Sequence, residues 1–176
     1  FHPRLAELSR QQRWIRWAGY LSAELYENVE QEYFAIRNQA SVYDVSPLCK
    51  YRIHGPDAER FANRLVTRDV AKLAPGRVAY VVWCNDAGRV IDDGTLFRLE
   101  VDDFLLCAQE HHLGWLSDSA AGLQVAVEDV AEAVCGLSLQ GPTSCAVLNT
   151  TMSVPRLPSS ASSPEPPCSS SLPLRP

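Results

Sequence analysis

A β-hairpin is the feature that most constrains the fold of this chain. An apolar, β-rich run from Val78 to Cys84 leads into the turn sequence Asn85-Asp86-Ala87-Gly88, and a second extended segment follows from Arg89 to Leu99. Two such runs separated by a short Asn/Asp/Gly segment are typical of a hairpin. Because a short turn joins antiparallel strands, the hairpin predicts a mostly antiparallel sheet.

The segments around the hairpin alternate between helical and extended periodicities. Further strands are predicted at Ala40–Tyr43, Lys50–His54, Phe104–Ala108, Leu123–Glu128 and Ala133–Leu139. Helices are predicted at Glu24–Gln39, Ala58–Val66, His112–Ala121 and from Gly141 to Leu148. The sum is an α+β fold in which helices pack on a mostly antiparallel sheet, and residues 1–150 are assigned to one such domain.

Composition and charge argue against two classes of partner, nucleic acids and membranes. A net charge of -5 argues against nucleic acid, since binding to phosphates normally depends on a clustered excess of Lys and Arg. No uncharged apolar run approaches the ~18 residues that a membrane span needs, and the chain does not open with a signal-peptide pattern. The sequence therefore predicts a cytoplasmic protein with no nucleic-acid or membrane partner.

The last segment, residues 151–176, has a different composition. From about Ser153 onward, serines alternate with seven prolines and few large apolar residues. Such a segment cannot bury enough surface to offset its chain entropy, so we expect a disordered tail. A linker and an out-of-frame translation of a longer gene are both open explanations.

Two adjacent carboxylates, Asp92 and Asp93, lie inside the otherwise apolar second strand of the hairpin. Neighbouring strand residues face opposite sides, so one of the two must point into the core or a cavity if the strand is half-buried. A buried carboxylate needs a hydrogen-bonded partner or a ligand. The alternative is that both aspartates cap the end of the hairpin.

The vicinal pair His111-His112 is expected on the surface. Neighbouring histidines do not share a helix face, so the pair does not predict a metal site, and no metal site is predicted elsewhere. The sequence has no P-loop, no G-x-G-x-x-G after a strand and no clear Ser-His-Asp or Cys-His pairing. Hydrolase and nucleotide-cofactor functions therefore receive little support.

Several segments resemble, in order and spacing, the glycine-cleavage T-protein (aminomethyltransferase) superfamily of folate-binding one-carbon transferases. Val42-Tyr43-Asp44-Val45-Ser46 resembles the (Phe/Tyr)-Asp-Val-Ser signature, and Asn85 to Asp93 resembles the Asn-Glu-x-Gly-Gly-Ile-x-Asp-Asp hairpin. Leu139-Gln140-Gly141-Pro142 ends the match, which covers nearly everything before the tail. The resemblance implies the amino-terminal portion of a longer, three-domain folate-binding fold.

The resemblance also implies roles for individual residues. Asp93 stands where the family has the acidic residue that contacts folate near its reactive nitrogens, and Asp92 accompanies it. Asp93 is therefore the carboxylate expected to face inward, toward a space for the pterin. Tyr80 and Leu48 stand where an aromatic and a Met-like side chain pack on the cofactor, and Gln109 lies near the position of a cofactor-contacting Asn.

The implied activity is transfer of a one-carbon unit, aminomethyl or methyl, to tetrahydrofolate. The donor is a small molecule or a lipoyl carrier protein. Departures such as Gly94-Thr95-Leu96-Phe97 after the acidic pair also resemble folate-dependent demethylases. Because further folate contacts of the family belong after Leu148, a non-catalytic folate-binding protein and an inactive fragment remain alternatives.

Overall fold

The structure is a computed structural model that describes residues 2–151. Its helices and strands, in chain order, are α1 (His2–Leu8), β1 (Arg13–Trp17), β2 (Tyr20–Leu25), α2 (Val29–Asn38), β3 (Ser41–Asp44), β4 (Cys49–His54), α3 (Ala58–Leu65), β5 (Val78–Cys84), β6 (Val90–Glu100), β7 (Asp103–Ala108), α4 (Leu113–Ser119), β8 (Ala126–Asp129), β9 (Leu137–Gln140) and α5 (Ser144–Thr151). A 3-10 helix, Val70–Lys72, lies between α3 and β5. The tail predicted from residue 151 lies, after Thr151, outside the described residues.

The described residues form two compact units. The terminal unit takes in residues 2–16, 21–44 and 137–151, and the central unit takes in residues 17–20 and 45–136. Within residues 2–151, none of the helices is long and apolar enough to cross a membrane.

In the terminal unit, β3 and β9 form an antiparallel pair in which Ser41 lies opposite Gln140. Gly141 follows directly and has a φ of 116°, a conformation that favours glycine. A Cβ on Gly141 would lie 2.4 Å from the Gln39 carbonyl oxygen, which accepts a hydrogen bond from the Thr143 amide. The Gln140-Gly141-Pro142 sequence is therefore explained by a close approach of two backbones.

Helix α2 begins later than the sequence predicted. The Asn28 side chain caps it by accepting from the Gln31 amide at 2.8 Å, and the Glu32 carboxylate accepts from the amides of Tyr26 and Glu27. This arrangement satisfies amides that have no partner within the helix. The predicted helical start at Glu24 is wrong, because Glu24 belongs to β2.

The central unit contains a five-stranded sheet in the order β5-β6-β7-β4-β8, and every neighbouring pair is antiparallel. The predicted hairpin is β5-β6, and the Asn85 side chain closes its turn by accepting from the amides of Ala87 and Arg89 at 3.0 Å. The predicted α+β fold with a mostly antiparallel sheet is confirmed.

One face of this sheet forms the core. Helix α3 places Phe61 and Leu65 against it, and Leu116 of α4 is also buried. Full burial of a large apolar side chain stabilises the fold by roughly 1.5–3 kcal/mol. The buried strand residues include Tyr51, Ile53, Ala79, Val81, Trp83, Leu96, Phe104 and Leu106.

The opposite face, here called the outer face, carries the alternate residues of the same strands. Its large side chains include Tyr80 and Val78, which are 54% and 47% exposed, and Phe97. The chain therefore presents a partly apolar sheet surface on the side away from its core.

Candidate functional site

The acidic pair of β6 is divided between the two faces of the sheet. Leu96 and Arg98 are buried, so even-numbered residues of β6 face the core side, and Asp92 follows this parity with a side chain only 11% exposed. Asp93 lies opposite Val82 and is exposed on the outer face. The expectation that Asp93 faces the interior is wrong. The hairpin-capping alternative is also wrong, since both aspartates lie within the β5-β6 ladder.

The residues assigned to the cofactor lie at one end of three adjacent strands. Asp93 at the start of β6, Gln109 after β7 and Leu48 before β4 each lie one residue beyond the same row of paired residues, Gly94, Ala108 and Cys49. The Asp93 side chain faces the outer side of the sheet, and Gln109 and Leu48 lie at the adjacent ends of β7 and β4. Residues far apart in sequence are therefore brought into one row.

Tyr80 completes this group from β5. Its hydroxyl donates a hydrogen bond to Asp93 Oδ2, and this bond raises the pKa of Tyr80. Tyr80 lies opposite Thr95, which is the next residue of β6 after Asp93 on the same face of the sheet. We call Leu48, Tyr80, Asp93 and Gln109 the outer row.

Lys50 supports the outer row from β4. Only 3% of the residue is exposed, and its Nζ donates to the carbonyl oxygens of Ser46 and Leu48 at 2.9 Å. These bonds hold the turn that carries Leu48. The buried Lys50 side chain is therefore a structural element of the outer row and not a free cation.

Asp92 is the centre of a polar network on the core side. Its Oδ2 accepts from the Glu110 amide at 3.3 Å and lies 2.9 Å from His112 Nε2, while its Oδ1 accepts from the Asp93 amide at 2.8 Å. Burial, the largest single contribution, favours the neutral acid, but these hydrogen bonds together hold the pKa of Asp92 below its ordinary value. Asp92 is therefore ionised at neutral pH.

His112 is the residue of this network that sequence reasoning missed. Its side chain is 14% exposed, so the expectation of a surface histidine is wrong at this position. The sequence predicts this contact only in part. A buried aspartate within a strand needs a hydrogen-bond partner, but the sequence does not indicate which residue supplies it.

A cysteine-histidine contact lies near the network. Cys49 Sγ is 3.4 Å from His111 Nδ1, and burial raises the pKa of the Cys49 thiol. A raised pKa disfavours the thiolate that nucleophilic chemistry requires. Cys49 therefore does not have the properties of an activated nucleophile, although it borders a cleft of about 550 Å³ that Tyr20, Pro47 and Ala131 also line.

A close contact between β6 and β7 explains why a glycine, Gly94, follows the acidic pair. A Cβ at this position would lie 2.1 Å from the Cys107 carbonyl oxygen, well inside any acceptable contact. The close approach of β6 to β7 therefore requires glycine next to Asp93.

Comparison with known proteins identifies the family of this chain. A family model described as the GCVT N-terminal domain matches residues 3–160. The chain therefore belongs to the GCVT N-terminal domain family.

The relatives of this chain are aminomethyltransferases. The chain is 34% identical over 133 residues to the aminomethyltransferase of Desulforamulus reducens, covering 73% of this chain and 36% of that protein. It is 33% identical over 138 residues to the enzyme of Geobacillus thermodenitrificans, covering 76% of this chain and 38% of that protein.

A solved structure shows the same fold. The glycine cleavage system aminomethyltransferase T from Bartonella henselae superposes with a TM-score of 0.71 at 26% identity, covering 84% of this chain and 41% of that one. The chain spans about two fifths of the length of the proteins that it matches.

Proposed function

We propose that the outer row is a wall of a tetrahydrofolate site and that the whole protein transfers a one-carbon unit to tetrahydrofolate. The observation that carries this proposal is the Asp93 carboxylate, exposed on the outer face and held by the Tyr80 hydroxyl. The names of the relatives support it, since each of these proteins is an aminomethyltransferase.

The residues of the outer row suit a reduced pterin. A carboxylate accepts hydrogen bonds only, and a pterin offers N–H donors to it, so Asp93 fixes the orientation of the ring. The aromatic ring of Tyr80 and the apolar side chain of Leu48 offer surface to the flat heterocycle. The Gln109 amide, which is exposed, supplies both a donor and an acceptor at the same end of the sheet.

Tetrahydrofolate, when bound, supplies the nitrogen that accepts the one-carbon unit. The contribution of the chain is to bind and orient, and holding two reactants in a productive geometry can lower a barrier by several kcal/mol. The negative charge of Asp93 stabilises positive charge that develops on the transferred group. Asp93 needs no covalent step to perform this role.

The donor in this proposal is an aminomethyl group on a lipoyl carrier protein or a small methylated molecule, and the protein acts in the cytoplasm. The similar Bartonella protein is an aminomethyltransferase of a glycine cleavage system, which favours the carrier protein. The acidic net charge gives no reason to invoke nucleic acid.

Calorimetric titration of the 176-residue chain with tetrahydrofolate tests the proposal. We expect the wild-type chain to bind tetrahydrofolate. Asp93→Asn should weaken the affinity by roughly tenfold, since a hydrogen bond to a charged group contributes about 1.5–3 kcal/mol. Asp86→Asn, in the hairpin turn, is the matched control and should bind like the wild type. Absence of binding to the wild-type chain, or equal affinity of both variants, would contradict the proposal.

A donor assay then separates an enzyme from a non-catalytic binder. The chain is mixed with tetrahydrofolate and an aminomethylated lipoyl carrier, and the folate product is measured. Transfer that depends on Asp93 supports the enzyme, while binding without transfer supports a folate-binding protein.

A further inference from the structure

A single carboxylate connects three segments of the central unit. Asp92 Oδ1 accepts from the Asp93 amide on β6, while its Oδ2 meets the Glu110 amide beyond β7 and His112 Nε2 at the start of α4. Asp92 therefore cannot rotate without losing at least one of these contacts. The backbone at Asp93 is fixed by the same carboxylate that His112 holds.

His112 is itself firmly placed. Its amide donates to the Tyr51 hydroxyl at 2.8 Å, and Tyr51 is fully buried. The His112 ring meets the Trp83 ring edge to face, with centroids 5.6 Å apart and an interplanar angle of 89°. The imidazole is thus held between a buried aromatic side chain and the Asp92 carboxylate.

The position of Asp93 depends on this support. The Asp93 amide donates to the Asp92 carboxylate, and the β5-β6 pairing has a register irregularity close by, between Trp83 and Cys84. A carboxylate on the outer face that must meet a ligand needs a defined direction, and a site that is loose by about 1 Å loses function.

We infer that His112 is a positioning residue for the Asp93 site: by holding Asp92, it fixes the backbone at Asp93 and thereby directs the Asp93 carboxylate and its bond to Tyr80. This inference rests on the proposed function of Asp93. His112 does not touch the ligand, because it lies on the core side of the sheet while Asp93 lies on the outer face.

Two substitutions that differ by one methylene group test this inference. In His112→Gln the amide nitrogen reaches about as far as Nε2 and restores a donor to Asp92, whereas in His112→Asn the side chain is too short. Asparagine is also a favoured residue at the N-cap of a helix, which is the position of His112 in α4, so this variant retains the helix start.

The first readout needs no ligand. With 13C-labelled tyrosine, the ionisation of Tyr80 is followed by NMR and assigned with Tyr80→Phe. We expect the pKa of Tyr80 to fall in His112→Asn toward its value in Asp93→Asn and to stay at the wild-type value in His112→Gln. A loss of global stability alone does not produce this pattern in a protein that is still folded.

The second readout is tetrahydrofolate affinity. We expect a roughly tenfold weaker Kd for His112→Asn, equivalent to one charge-assisted hydrogen bond, and a Kd close to wild type for His112→Gln. His54→Asn is the control, since His54 Nε2 lies 3.5 Å from Glu128 in a more exposed pair on the same sheet.

The outcomes separate the two proposals. If wild type fails to bind tetrahydrofolate, the proposed function fails, while the Tyr80 titration still decides whether His112 positions Asp93. If His112→Asn leaves both the Tyr80 pKa and the affinity unchanged, the positioning role is overturned. The same conclusion follows if Gln and Asn at position 112 have equal effects, or if His112→Asn does not fold and His112→Gln lowers the Tyr80 pKa.

Discussion

The buried guanidinium of Arg98 on β6 donates to the Glu59 carboxylate of α3 across 2.5 Å, and this ion pair joins the helix to the second strand of the hairpin. Arg98 also donates to the carbonyl oxygens of Leu73 and Val101, at 2.9 and 2.7 Å, and lies over the Phe104 ring. One side chain therefore satisfies acceptors from several segments.

Arg98→Met is expected to lower the free energy of unfolding by about 3 kcal/mol, because the Glu59 carboxylate and three carbonyl groups, those of Leu73, Glu100 and Val101, lose their partner. Glu59→Gln should cost less, about 1 kcal/mol, since the Glu59 side chain is 40% exposed. Urea unfolding monitored by circular dichroism measures both. Equal costs for the two variants would show that the carbonyl contacts of Arg98 contribute nothing.

Gly94→Ala is expected to destabilise the protein by about 2 kcal/mol or more, because the added Cβ overlaps the Cys107 carbonyl oxygen and must push β6 from β7. Gly114→Ala is the matched control, since a Cβ there meets nothing within 4 Å and the residue lies in α4. Helix propensity predicts a gain of up to about 1 kcal/mol for this control. Thermal unfolding measures the Tm of both variants, and we expect the lower value for Gly94→Ala. Similar Tm values would contradict the close approach of β6 to β7.

The contribution of Asp92 should depend on pH. Its folded-state pKa is lowered from the unfolded-state value of about 3.9, so its stabilising effect is complete above that value and is lost as the pH falls through the folded-state pKa. At pH 7, Asp92→Asn should cost about 2 kcal/mol, the contribution of hydrogen bonds to a charged group.

Urea unfolding at several pH values from 7 downward measures this difference between wild type and Asp92→Asn. The difference should shrink once the pH is below about 4. A difference that stays constant to pH 3 would mean that ionisation of Asp92 does not contribute to stability.

Local sequence patterns were sufficient for the hairpin and for most of the five-stranded sheet. The turn chemistry of Asn85 to Gly88 and the apolar run that precedes it define β5 and β6 with nearly correct ends. The boundary between β2 and α2 was harder, because the predicted helix began at Glu24 and so included the last two residues of β2. In the structure this segment is a strand because it pairs with β1, and the Asn28 cap marks where α2 begins.

The direction of the acidic pair was not available from the sequence. Residue types establish that Asp92 and Asp93 face opposite sides, but their parity depends on the register of β6 against β5 and on the burial of Arg98, a residue that is usually exposed. The role of His112 was hidden for the same reason, since its contact with Asp92 joins residues 20 positions apart through the fold.

Intermolecular nuclear Overhauser effects between bound tetrahydrofolate and Tyr80 test the central proposal most directly. With the 176-residue chain labelled at tyrosine, the proposed site predicts cross-peaks between the Tyr80 ring protons and the reduced-ring protons next to N5, and their loss in Asp93→Asn. Cross-peaks to Tyr20 of the cleft, with none to Tyr80, would contradict the assignment of the outer row as the folate wall.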